Sequence, residues 1–251
     1  IEDIPYDEPT DLVAITVETY SARRAYQIAD RFRSKGVPVV MGGFHATLMP
    51  DEVAHHADAV VLGEAEDLWG RIVHDARSGR LAARYEGAAR PDLAGRSPDR
   101  SVFDGKRYPV LSLVETGRGC HYRCDFCAVA AAFRQTYVAR PIQDVVDEVR
   151  ALKKRFVFFV DDNFCADLQR TTELLEALIP LRIRWVAQAS LHVARHERLL
   201  ALMKRSGCMG LLVVLESIDP AVLSSMQKRV NVDAPGYDEC LAVFRRYGLG
   251  V

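Results

Sequence analysis

Along the chain, runs of consecutive apolar residues alternate with stretches in which apolar side chains return every three or four positions. Residues 11–17 (DLVAITV) read as a buried strand, and Ala22, Ala25, Tyr26, Ala29 and Phe32 then follow at helical spacing until Gly36. A second strand is predicted at residues 37–41 (VPVVM), running into Gly42 and Gly43 and then a short helix. Residues 58–62 (DAVVL) supply a third strand, followed by a helix over 64–77 closed by Gly79. Strands alternating with helices in this way predict a parallel sheet with crossover helices. No period holds over residues 80–108, which Gly87, Pro91, Gly95, Pro98 and Gly105 interrupt, so this stretch reads as a linker or surface excursion.

The rhythm then resumes more regularly. Strands are predicted at 110–115, 156–160, 183–189 and 211–215, and helices at 141–152, 168–179, 197–205 and 237–246. Pro141 suits the first turn of its helix. Residues 156–160 (FVFFV) are apolar throughout, as expected of a strand covered on both faces. Residues 248–251 look like a further strand beginning, and residue 1 is Ile, so the chain is expected to be part of a longer one. The fold class is α/β in two domains: residues 1–80, a linker at 81–108, and 109–251 with four β/α repeats suggesting an open or closed barrel.

Composition narrows the partners. With 251 residues, 49% hydrophobic and 27% charged, the chain can bury a substantial core. A formal net charge of −1 offers no general attraction to nucleic acid. No apolar run approaches the roughly 20 residues that span a bilayer, and no charged-then-apolar leader opens the chain. A cytoplasmic protein without stable membrane insertion is expected.

Six cysteines are present, and Cys120, Cys124 and Cys127 fall within eight residues, spaced C-x3-C-x2-C after a predicted strand. Three thiols so close cannot pair among themselves, and nothing indicates export. Tetrahedral zinc would want a fourth ligand, which His121 beside Cys120 is poorly placed to supply. A four-iron cluster is normally held by four cysteines; three would leave one iron open for a substrate or cofactor. Cys165, Cys208 and Cys240 share no such spacing and read as buried structural residues.

With Phe126 just before the last cysteine, this segment resembles the radical S-adenosylmethionine (radical SAM) superfamily. The resemblance implies that Cys120, Cys124 and Cys127 hold a [4Fe-4S] cluster. Its open iron would chelate the methionine moiety of S-adenosyl-L-methionine (SAM), whose reductive cleavage releases a 5′-deoxyadenosyl radical. Asp161, Asp162 and Asn163 stand where the family places a segment that holds the methionine amino group, although they depart from its usual Gly-Gly-Glu pattern. Their other reading is a helix start, which Asp and Asn cap well. Glu216, followed by Ser217 at the end of "LLVVLES", stands where the family often contacts the ribose. Gln188 and Ser190 close the preceding strand and are candidates for the same mouth. Arg118 either adds positive charge near the cluster or meets solvent.

The first domain resembles the cobalamin-binding domain that precedes the radical SAM core in one large subgroup, through "DLVAITVETY", "VPVVMGGFHATLMPDE" and "ADAVVLGEAEDLW". This implies a partial Rossmann-like domain whose Thr16, Gly42 and Gly43 approach the nucleotide tail of cobalamin; Gly42 and Gly43 read equally as a tight turn. His45, His55 and His56 are expected to be solvated or capping residues. The resemblance further implies methyl transfer to an unactivated carbon of a small-molecule, lipid or natural-product substrate. In that chemistry one SAM methylates cob(I)alamin and another supplies the radical, with an electron donor such as flavodoxin or ferredoxin. Other radical chemistry without methyl transfer, such as cyclisation or oxidoreduction, and a non-catalytic cobalamin or iron–sulfur sensor are the alternatives.

Overall fold

The computed structural model describes residues 4–87, 90–106, 111–152, 154–232, 234 and 236–251. It divides into two compact units, Ile1–Pro91 and Asp92–Val251. Among the described residues no helix is long and apolar enough to cross a membrane.

The first unit is a parallel sheet of β1 (Val13–Thr16), β2 (Val39–Gly42), β3 (Ala59–Leu62) and β4 (Arg84–Glu86), in that spatial order. Side chains alternate along each strand, so Val39 and Met41 enter one core with Ala25, Ala29 and Phe32 of helix Ala22–Arg33. Val40 enters the other core, with Ile72 of helix Trp69–Arg77. Both faces being covered, β2 and β3 read as unbroken apolar runs. The helix expected over 64–77 begins only at Trp69. Gly63 turns the chain at φ +73°, and the Glu64 carboxylate is held by Arg90, which keeps the intervening residues in a loop. The stretch at 81–108 contains β4, which pairs with β3 and buries Tyr85. A three-residue strand leaves no periodicity to detect.

The second unit contains β5 (Ser112–Val114), the antiparallel ribbon β6 (Gly117–Gly119) and β7 (Tyr137–Ala139), then β8 (Phe156–Phe159), β9 (Arg184–Gln188) and β10 (Cys208–Leu212). The main sheet is parallel in the order β10-β9-β8-β5, and Gly250 bridges to Gly210 beyond β10. It is part of a β/α barrel. Val110, expected to open the first of these strands, lies outside the described residues. Helices Ile142–Ala151, Leu168–Leu178, Glu197–Arg205 and Tyr237–Arg246 follow the pattern read from sequence, except that Pro141 is the N-cap and not a first-turn residue. On the helix side, Trp185 packs edge-on to Phe159 with ring centroids 5.5 Å apart, and its indole N–H donates to the Ser206 carbonyl at 3.1 Å.

Two expectations fail here. Residues 156–160 are not buried on both faces: Val157 and Phe159 are buried, Phe156 and Phe158 are half-buried, and Leu113, which pairs with Phe158, is half-exposed. Helices cover one face only, and the other lines the inside of the barrel. The strand expected at 211–215 lies at Cys208–Leu212. Gly207 sets this start, since it holds φ +98° and a Cβ there would lie 1.9 Å from the Ile183 carbonyl oxygen.

Candidate active site

The cysteines do not follow β5 directly: β6 intervenes, and they lie in the connection between the two strands of the β6–β7 ribbon. Its register is pinned from several sides. Asp161, at the end of β8, accepts the Thr116 N–H at 2.6 Å and also the Thr116 hydroxyl. The Arg170 guanidinium donates to the carbonyls of Thr116 and Arg140, both at 2.7 Å. Buried Arg140 donates to the Glu115 carbonyl at 2.7 Å and to Glu148 at 2.6 Å. Asp162 accepts the Gly119 N–H at 2.8 Å, one residue before Cys120. The C-terminal side of the loop is clamped as well: the Asp125 N–H donates to the Met226 carbonyl, and the Gln227 amide donates to the Asp125 carboxylate at 2.7 Å.

So held, Cys120, Cys124 and Cys127 line one cavity, open to solvent, together with Phe126, Asp162, Asn163, Gln188, Ser190, Glu216 and Lys228. All three thiols are free. Burial pushes the Cys120 and Cys124 thiols up; at Cys124 the Lys228 ammonium opposes this, and at Cys120 the Tyr122 N–H and the Asn163 amide do. Among the described residues no three His, Cys, Asp or Glu side chains converge on a single ion position. A four-iron cluster needs no such convergence, since each thiolate binds a different iron. The donor set therefore fits a cluster better than it fits one metal ion.

The three polar residues after β8 separate. Asp162 and Asn163 line the cavity, whereas Asp161 is buried against Thr116 and does not. Nor do they start a helix: Asp167 caps helix Leu168–Leu178 by accepting the Arg170 N–H at 3.0 Å. Burial pushes Asp161 up to about 6 from 3.8, against the Thr116 donors that favour its ionised form. The folded protein thus prefers the protonated carboxyl. Its contribution to stability is full below pH 3.8 and lost as pH rises through about 6. Urea unfolding of the apoprotein between pH 4.5 and 7 should show this falling component, which Asp161→Asn should remove.

Glu216 lies four residues beyond the end of β10, at φ +63°, and its carboxylate accepts from Lys228 Nζ at 3.1 Å. The same ammonium stands 5.5 Å from the centre of the Phe126 ring. Sequence reasoning missed Lys228, because it sits in a short irregular segment between two brief helices and no spacing singles it out. Gln188 donates to the Asp162 carbonyl at 3.1 Å. Arg118 forms a two-pronged pair with Glu115 at 2.8 and 2.9 Å, so its charge is locally matched. Cys165, Cys208 and Cys240 are buried in the core of the unit, as expected.

In the first unit, Thr16 and Gly42 are paired residues at the carboxyl ends of β1 and β2, the edge where parallel α/β sheets bind ligands. Gly43 has its own structural reason: at φ +98°, a Cβ would lie 2.9 Å from Thr16 Cγ2 and from the Val17 backbone. Gly42 would tolerate a Cβ, in ordinary contact with Val61 at 3.5 Å. Thr47, also missed, ties two strand-end loops by donating to the Gly43 carbonyl at 2.8 Å and accepting the Gly63 N–H at 3.0 Å. His45 is neither solvated nor a cap. It is buried, with Nδ1 3.2 Å from the Thr19 hydroxyl and Nε2 2.8 Å from the Tyr26 hydroxyl, which engages both ring nitrogens. His56 stacks on Tyr26 and bonds to Asp30 at 2.9 Å, while His55 is exposed.

Comparison with known proteins agrees with this geometry. The Radical SAM superfamily profile matches residues 114–250, and the B12 binding domain profile matches residues 1–73. The chain is 31% identical to the bacteriochlorophyllide d C-12(1)-methyltransferase of Chlorobaculum tepidum, over 92% of this chain and 53% of that protein. It is 29% identical to the bacteriochlorophyllide d C-8(2)-methyltransferase of the same organism, over 100% of this chain and 59% of that protein. The chain thus spans about half the length of the curated relatives it matches. The fold matches the radical SAM methyltransferase TsrM from Kitasatospora setae, solved with a tryptophan substrate and a SAM analogue, with a TM-score of 0.81 at 19% identity, covering 97% of this chain and 56% of that one. The cofactors that go with these two domains are a [4Fe-4S] cluster, SAM and cobalamin. With its cysteine loop on one open cavity at the sheet edge and more than half its length matched by the superfamily profile, the chain belongs to the radical SAM superfamily.

Proposed function

We propose that the protein is a cobalamin-dependent radical SAM methyltransferase acting on an unactivated carbon of a small molecule. The observation that carries this reading is one cavity lined by three free thiols and also by Asp162, Gln188 and Glu216, in a chain that also holds a B12-binding domain. When bound, the cluster, SAM and cobalamin supply the electron, the radical and the methyl group. The chain's own residues bind and orient them. Cys120, Cys124 and Cys127 would hold three irons. Asp162, whose carbonyl is oriented by Gln188, would face the methionine end of SAM, and Glu216, held by Lys228, would receive the ribose hydroxyls. Phe126, about half exposed at the cavity mouth, would shield the cluster from water. Thr16 and Gly42 would meet the nucleotide tail of cobalamin, with Gly43 shaping the turn that presents them.

The substrate class rests on the relatives' names. Two act on bacteriochlorophyllide d, so a bacteriochlorophyllide side chain is the first substrate to try. A flavodoxin or ferredoxin donor and a reducing cytoplasm suit an oxygen-sensitive cluster. The test is anaerobic turnover of the full-length reconstituted protein with SAM, a reductant and that substrate. Formation of both 5′-deoxyadenosine and S-adenosylhomocysteine is expected. 5′-Deoxyadenosine alone would mean radical chemistry without methyl transfer, and neither product would mean a binding protein.

A further inference from the structure

Asn163 is 3% exposed, and its two ends are differently placed. Oδ1 accepts the Cys165 N–H at 3.3 Å, which fixes the orientation of the amide. Nδ2 is enclosed and, among the described residues, has no hydrogen-bond partner. Buried donors are rarely left so. Asn163 and Cys120 line the same cavity. A neutral thiol is a weak acceptor, whereas a metal-bound thiolate or a sulfide is a good one. An amide NH2 group also cannot accept a hydrogen bond from the methionine amino group of SAM, the role the family pattern suggests for this segment.

Resting on the radical SAM reading, we propose that Asn163 donates a hydrogen bond to the Cys120 sulfur or the cluster sulfide beside it, and so raises the reduction potential of the cluster. Donors to cluster sulfurs stabilise the more negative, reduced state. Asn163 is thus a tuning and positioning residue and not a catalytic one. Asn163→Asp keeps an acceptor for the Cys165 N–H and loses the donor; Asn163→Leu loses the donor without adding charge.

The experiment is potentiometric titration of the full-length reconstituted protein, without SAM, followed by the electron paramagnetic resonance of the reduced cluster. Both variants should retain about four irons per chain. In Asn163→Leu the equilibrium for one-electron reduction should fall about tenfold, a shift of about 59 mV. Asn163→Asp should shift at least as far in the same direction. In parallel, wild type carrying 15N-labelled asparagine should show a nitrogen coupling to the reduced cluster that both variants lack. A cluster-bearing Asn163→Leu with wild-type potential, or a wild type without that coupling, overturns the proposal and leaves the radical SAM reading standing. If a variant loses its cluster, the wild-type coupling alone decides. A wild type that takes up no four-iron cluster overturns both.

Discussion

Replacing Cys120, Cys124 and Cys127 together by alanine should lower the iron of the full-length, anaerobically reconstituted protein from about four per chain to near zero. The three remaining cysteines cannot substitute, because Cys165, Cys208 and Cys240 are at most 2% exposed and lie in the core of the unit. Burial also pushes all three thiols up, Cys208 to about 12, so none offers a ready thiolate. The fold should survive the change. The polypeptide contacts that hold the loop come from Asp161, Arg140, Arg170 and the 226–227 segment, not from the thiols. Circular dichroism should therefore match wild type while iron and sulfide are lost. Iron that persists in a folded triple variant would remove these residues from the cluster.

The second large effect is expected at Arg140, in the scaffold behind the loop. Its side chain is 5% exposed and its Glu148 partner 4%, with Arg100 on the other carboxylate oxygen. Arg140 also donates to the carbonyls of Glu115 and Arg96, the latter at 2.9 Å. Arg140→Met keeps an unbranched apolar stem but leaves a buried carboxylate with half its pairing and strips both carbonyls of this donor. Removing one partner of a buried pair typically costs about 3–5 kcal/mol. Because Arg100 remains, we expect about 3 kcal/mol, the lower end. Urea unfolding of the apoprotein, followed by the fluorescence of buried Trp185, should show a lower midpoint at unchanged slope. Adding Glu148→Leu should recover part of the loss by removing the stranded charge. A loss below about 1 kcal/mol would mean that the network does not hold the ribbon.

What the sequence by itself determined was the local part of the protein. Parallel α/β architecture follows from strands and helices in alternation, and helices Glu197–Arg205 and Tyr237–Arg246 keep their expected ends because the apolar spacing that sets them is local to each helix. The cysteine spacing is equally local, so the cluster candidates were legible at once. Only the tertiary structure could divide Asp161 from Asp162 and Asn163. These are consecutive residues of similar chemistry, and the Thr116 N–H, 45 residues away in the chain, draws Asp161 out of the cavity. Tertiary contacts also set the start of β10, where an unbroken apolar run offers no register and the Ile183 carbonyl leaves room only for Gly207. The same holds for Lys228, brought to Glu216 and Phe126 by the packing of a short irregular segment, and for His45, enclosed by Thr19 and Tyr26 from the preceding helical elements. Periodicity records which face of an element is apolar. It cannot record which distant polar group will meet a given side chain, and that meeting decides its role.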